Sequence, residues 1–243
     1  MKLKQAIESL GIEQSIDIGK QIAKDLNIKW EGGVAVVFNA VVSDLDRVPG
    51  NIGGKNDDQN DVIRKWLLKY QGGKDGRASQ RTSNPPGTVS DPIIEQIIGA
   101  RISALTADDL NKINYAHRLG MSAENILGLI LEEYLAYNLE PLGWYCAWGE
   151  TVKSVDFVHK DGRLLQIKNR SNSENSSSST VRNGTQIEKW FRIKANRIEY
   201  MWASLNKICG STTLSEDSFI KFVQTTLMEN PACLAVEHAN PWK

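Results

Sequence analysis

Residues 144–171 constrain the fold more than any other part of this chain. Three short apolar segments follow one another there, 144–148, 152–159 and 163–169, and Lys160-Asp161-Gly162 stands between the last two. Alternating apolar residues on both sides of an Asp-Gly pair are a strong short-range signature of a β-hairpin. The sequence on either side of this stretch instead carries apolar residues every three or four positions, the helical period. The predicted order is therefore helices, three strands, helices. That is an α/β chain with a mixed central β-sheet of four or five strands flanked by helices and a helical N-terminal portion.

The helical parts can be placed more closely. Segments 2–10 and 13–27 read as amphipathic helices broken at Gly11. The run 34–42 is apolar throughout, so it is buried, but its periodicity leaves helix and strand open. Between 57 and 70, Val62, Ile63, Trp66, Leu67 and Tyr70 share one helical face. Asp91-Pro92 and Thr106-Ala107-Asp108-Asp109 each open a helix, and Ser122 is expected to cap a longer one over 123–138, ended by Pro141 and Gly143. Past the hairpin, Thr185-Gln186-Ile187-Glu188 has the form of a capping box, which predicts a helix reaching Ile208. A last helix near 215–229 and a strand over 233–237 complete the reading. Two polar stretches interrupt it: 71–90, with Gly72-Gly73, Lys74, Arg77, Arg81 and Pro85-Pro86, and the Ser/Asn-rich 171–184. Segments this long are either functional or plain linkers.

Composition narrows the class. With 41% hydrophobic and 24% charged residues the chain is globular, and no apolar run approaches the ~18 residues a membrane span needs. The first eight residues meet Glu8 before any apolar leader can form, so a cytoplasmic protein is expected. Cys146, Cys209 and Cys233 have no disulfide or zinc spacing. The net charge is zero, but it is unevenly distributed. Residues 61–81 carry six basic and two acidic side chains, 151–200 carry ten and five, and 82–150 carry three and nine. A polyanion-binding surface is compatible with that segregation, as are ordinary solvated faces.

The chemistry-bearing pattern lies in the hairpin. Asp156 on one strand and Gln166-Ile167-Lys168 on the next push three polar side chains into otherwise apolar segments, which costs free energy unless something pairs with them. A divalent cation is such a partner: Asp156, the Gln166 amide oxygen and the Ile167 main-chain carbonyl supply hard oxygens, and water fills the rest. Lys168, on the Gln166 face, would orient or deprotonate an attacking water and offset charge on a phosphate. Register decides whether the three assemble. A two-residue Asp161-Gly162 turn sets Asp156 opposite Ile167, on the wrong face. A three-residue Lys160-Asp161-Gly162 loop with a left-handed Gly162 pairs His159 with Arg163 and Asp156 with Gln166, uniting the trio. On the preceding helix Glu133 falls at the flank of the apolar stripe while Glu132 points nearly opposite. Glu133 is therefore the predicted fourth acid, with Glu132 and Glu150 as rivals.

Asp156 and Gln166-Ile167-Lys168, preceded by a helix carrying Glu133, resemble the PD-(D/E)XK nuclease core in its Q-x-K variant. More specifically, residues 166–179, with their serine-rich run, the Thr185-to-Arg192 segment and 120–134 resemble the SinI family of type II restriction endonucleases. The resemblance implies a single nuclease domain over 1–243, with 1–110 as helical support and DNA-wrapping portion and 111–243 as catalytic core. It also implies a Mg2+-dependent homodimer that cuts both strands of double-stranded DNA at a short palindromic, GGWCC-like site, with a cognate DNA methyltransferase as genetic partner. Val155 replaces the motif's proline, and Gln166 replaces an acid, which removes one negative charge from the metal site. For contacts to DNA, Arg170, Asn172, Ser173, Asn175, Arg182 and Asn183 follow the catalytic strand and have the chemistry to meet base edges and phosphates. Lys189, Arg192, Arg77 and Arg81 are expected at phosphates. A modification-dependent or repair nuclease of the same fold, and a non-catalytic DNA-binding protein, are the competing readings.

Overall fold

The computed structural model describes residues 1–87, 90–170 and 187–242. Four helices come first: α1 (Leu3–Leu10), α2 (Ile12–Asp25), α3 (Gly33–Ser43) and α4 (Gln59–Asp75). Gly11, at φ +77°, breaks α1 from α2 as its position in the sequence suggests. The apolar run 34–42 is helix α3, and its buried residues Val34, Val37, Phe38, Val41 and Val42 keep the helical period. Asp58 caps α4 by accepting the Asp61 amide at 2.8 Å, while the Asp61 carboxylate accepts the Asp58 amide at 3.1 Å. The helix runs on through Gly72-Gly73, so the polar stretch begins as a helical turn.

Next come α5 (Pro92–Arg101), capped by Asp91, and α6 (Ala107–Leu139). The two helices expected on either side of Ser122 are one. Thr106 and Asp109 form the capping box, and Ser122 is a buried interior residue whose Oγ finds no partner. No proline interrupts residues 107–139, so nothing ends the hydrogen-bonded ladder before Glu140. Gly143, at φ +86°, then turns the chain into the sheet.

The sheet has the order β1-β2-β3-β4, with β1 (Trp144–Cys146), β2 (Phe157–His159), β3 (Leu164–Arg170) and β4 (Ile187–Ile193). The first two pairings are antiparallel and β3–β4 is parallel, so the sheet is mixed. The hairpin has the three-residue loop. Phe157 pairs with Leu165, the His159 amide donates to the Arg163 carbonyl and the Gly162 amide to the His159 carbonyl, each at 2.9 Å, with Gly162 at φ +94°.

Two sequence expectations are corrected here. Of the helix expected from Thr185 to Ile208, Thr185 and Gln186 lie outside the described residues, and the rest is strand β4 followed by α7 (Trp202–Cys209). Ile187, Trp190, Phe191 and Ile193 satisfy a strand as well as a helix, and the long-range ladder to β3 outweighs the local capping signal. The expected strand over 233–237 is absent from the sheet. Pro231–Cys233 forms a 3-10 turn after α8 (Glu216–Glu229), and Val236 remains exposed.

Strand alternation divides the interior in two. Val158 and Leu164 face a core built with α1–α4, whereas Trp144, Phe157, Leu165, Ile167 and Trp190 face a core built with α6, α7 and α8. By the same alternation Gln166 and Lys168 lie on the Leu164 face of β3. Trp190, packed on Trp202, donates its indole N–H to the Met201 carbonyl at 2.8 Å. Among the described residues no helix is long and apolar enough to cross a membrane.

Candidate active site

Asp156 sits immediately before β2. Its amide donates to the Leu165 carbonyl at 3.0 Å, and its Oδ2 accepts the Ile167 amide at 2.7 Å. The carboxylate is thus held against β3 by a main-chain donor, at the level of Gln166. Both residues line a cavity of about 670 Å3 that also takes in Glu132 of α6 and Arg77 and Arg81 of the segment after α4. Lys168 is two residues along the same face of β3, half-buried and opposite Phe191 of β4.

The β1–β2 loop forms one wall. Gly149 at φ +73°, Glu150 at +55° and Ser154 at +63° are left-handed, a clustering that costs about 1–3 kcal/mol at each non-glycine position and is typical of functional loops. Packing holds the loop in place. The Trp66 indole donates to the Thr151 carbonyl at 2.9 Å, and the Lys153 amide donates to the Arg47 carbonyl at 2.8 Å. A methyl group on Gly73 would fall 2.2 Å from the Gly149 nitrogen, so only glycine lets α4 approach this closely.

Three acidic residues line the cavity, Asp156, Glu132 and Glu150. Burial, then the charges of Asp156 and Glu150, push the Glu132 carboxyl from its ordinary 4.5 up to about 8. The buried Cys146 thiol is pushed well up by burial and by the same two acids, Glu132 and Asp156. Gln166 is 9% exposed, and its Oε1 is buried with no hydrogen-bond partner. An acceptor left without a donor beside two carboxylates is the arrangement a hard cation would complete, so these residues fit a Mg2+ or Ca2+ ion. Among the described residues no three His, Cys, Asp or Glu side chains converge, so the donor set is two carboxylates with neutral oxygens.

The remaining candidates divide. Glu133, the expected fourth acid, is fully buried away from Asp156. It accepts the Ser79 amide at 2.8 Å and Ser79 Oγ at 2.5 Å, and pairs with Arg77 Nε at 3.2 Å. The acid brought beside Asp156 is Glu132, because α6 is covered on both sides and the helical wheel identified only one of them. Arg192 does not face outward either. It pairs with Glu216 at 2.5 Å, donates to Asn169 Oδ1 at 2.8 Å and lies over the Tyr200 and Phe219 rings, tying β4 to α8. Lys189 is exposed on β4 opposite Gln166, and Arg170 is exposed at the end of β3. Asn172, Ser173, Asn175, Arg182 and Asn183 lie outside the described residues. Sequence reasoning missed the Gly73–Gly149 approach, whose only trace in the sequence is the Gly72-Gly73 pair, read there as loop.

The sequence profile of the SinI restriction endonuclease family matches residues 19–229. The chain is 34% identical over 228 residues to the type II restriction enzyme SinI of Salmonella infantis, covering 89% of this chain and 95% of that enzyme. It is 42% identical over 154 residues to the type II restriction enzyme Eco47I of Escherichia coli, covering 61% of this chain and 66% of that enzyme.

Proposed function

This chain belongs to the SinI restriction endonuclease family, and from that premise we propose that it is a Mg2+-dependent type II enzyme with a PD-(D/E)XK core, hydrolysing both strands of double-stranded DNA at a short palindromic, GGWCC-like site. The observation that carries the chemical part is the cavity in which Gln166 Oε1, without a partner, adjoins Asp156 and Glu132. Asp156, Glu132, Gln166 and the Ile167 carbonyl would hold the ion. Glu132 restores the negative charge that a glutamine at position 166 removes. Bound there, Mg2+ supplies Lewis acidity toward a phosphate oxygen and acidifies water.

The chain's own groups do the rest. The Ile167 amide fixes the Asp156 carboxylate in one orientation. Lys168 Nζ, on the Gln166 face, orients the attacking water for in-line displacement and offsets charge as it builds on the phosphate oxygens. Arg170 and Lys189, exposed on the two parallel strands, provide positive charge for the DNA backbone. A palindromic substrate matches a two-fold symmetric homodimer. Helix α5 favours that state, since none of its residues is buried and Ile93, Ile94 and Ile97 are exposed. A cognate methyltransferase would protect the host's own sites.

The test is digestion of unmethylated phage DNA with Mg2+, followed by sequencing of the fragment ends. Discrete ends at one palindrome are expected, and Lys168→Ala should abolish cleavage while specific binding persists. A ladder confined to methylated DNA, or binding with no cleavage at all, would refute the proposal, and so would undiminished cutting by the alanine variant.

A further inference from the structure

Gln166, whose Oε1 is buried without a partner, shares its cavity wall with a second residue that carries such an atom, and the chemistry of that atom is opposite. Arg81 Nε, a donor, is buried and makes no hydrogen bond, and the residue lines the same walls as Asp156, Glu132 and Gln166. Leaving one such group unsatisfied is costly, and more so when it is charged. A cation alone would satisfy the glutamine oxygen and leave the arginine bare. A lone anion would meet the arginine but be repelled by the carboxylates of the same walls, Asp156, Glu132 and Glu150. A cation and a phosphate bound together satisfy both.

The neighbouring arginine serves as a contrast. Arg77 lines the cavity too, but Glu133 neutralises it at 3.2 Å. Among the described residues Arg81 has no ion pair. Its position is fixed through its backbone: the amide donates to the Arg77 carbonyl at 3.1 Å, and the carbonyl accepts Asn230 Nδ2 at 2.8 Å. Asn230 also reaches the Ala78 carbonyl at 3.1 Å, the Ser83 amide donates to the Ala232 carbonyl at 2.9 Å, and Ser79 is bound to Glu133 of α6. The segment 77–83 has little regular structure, yet it is fastened to α6 and to the end of α8. The buried Glu133 therefore acts as the anchor of this segment.

We propose that Arg81 is a catalytic residue whose guanidinium holds the scissile phosphate in the cavity, opposite the cation held by Asp156, Glu132 and Gln166. The planar fork of arginine donates two parallel bonds to phosphate oxygens, and a fixed, desolvated donor needs no reorganisation as charge develops. This role rests on the nuclease reading above and assigns a site within it, distinct from contacts along the DNA backbone.

The test is a cycle between protein and substrate. Cognate duplexes are made with and without a single uncharged methylphosphonate at the scissile position, and their equilibrium binding to the full-length protein is measured by fluorescence anisotropy with Ca2+ in place of Mg2+, so that the cation site is filled. The wild-type protein should lose about tenfold or more on the neutralised duplex, as expected for a charge-assisted hydrogen bond. Arg81→Met should lose a similar factor on the ordinary duplex and show no further penalty from the methylphosphonate. In single-turnover cleavage with Mg2+ it should be slower by about a hundredfold. Circular dichroism checks that it folds. If it does not, Arg81→Lys replaces it, and should bind nearly normally but cleave at least about tenfold more slowly, since an ammonium lacks the fork. An unchanged methylphosphonate penalty in the variant, or no penalty with the wild-type protein, overturns the assignment. Failure of the wild-type protein to cut any duplex would instead sink the nuclease reading.

Discussion

Substituting Glu132 by glutamine gives opposite expectations for stability and for activity. Burial and the neighbouring carboxylates raise this carboxyl from 4.5 to about 8 in the folded protein. Between those values the native state keeps a proton that the unfolded chain has lost, so stability falls as pH rises through the window and levels off above pH 8. Relative to a neutral isostere, the ionisable group costs about 1 kcal/mol at pH 5 and about 4 kcal/mol at pH 8. Glu132→Gln should therefore stabilise the cation-free protein, by about 3 kcal/mol more at pH 8 than at pH 5, or on the order of 6–12 °C in Tm for a chain of this length. Cleavage should fall by at least about a hundredfold, because a donor carrying charge is lost at the ion. Thermal unfolding in EDTA at the two pH values, with and without excess Mg2+, reads the first effect. Added Mg2+ should raise the wild-type Tm at pH 8 and leave the variant's nearly unchanged. Glu133→Gln should do the reverse to the fold, destabilising it through loss of the Arg77 and Ser79 contacts. An E132Q protein that gains no stability at pH 8, or cuts DNA at the wild-type rate, would refute the argument.

Two further outcomes follow from packing. Gly73→Ala drives a methyl group into the Gly149 backbone at 2.2 Å and should cost about 3 kcal/mol in urea unfolding while displacing the β1–β2 loop; a cost under about 1 kcal/mol would mean the contact yields easily. Arg77→Met strips Glu133, fully buried, of its charged partner and should destabilise by about 3–5 kcal/mol near neutral pH, with much of that loss recovered in the Arg77→Met, Glu133→Gln double variant. Additive losses in the double variant would show that the two residues act independently.

What the chain determines by itself is local. Caps and breakers set α1, α2, α4, α5 and α8, because each depends on groups within a few positions of one another, as with Asp58 and Asp61 at the start of α4. The left-handed Gly162 sets the hairpin register, and a period of two then places Gln166 and Lys168 on one face, so this register and shared face could be read before any fold was known. Tertiary structure decided whatever is buried on two sides or paired with distant residues. Residues 187–193 carry both periods, and only the parallel ladder to β3 makes them a strand. Glu132 and Glu133 are adjacent on a helix enclosed on both faces. One meets Asp156 and the other Arg77 and Ser79, partners 56 and 54 positions away for Arg77 and Ser79 respectively, which no helical wheel contains. A single amphipathic period encodes one buried face. Where the interior surrounds an element, the assignment of its second face belongs to the assembled protein.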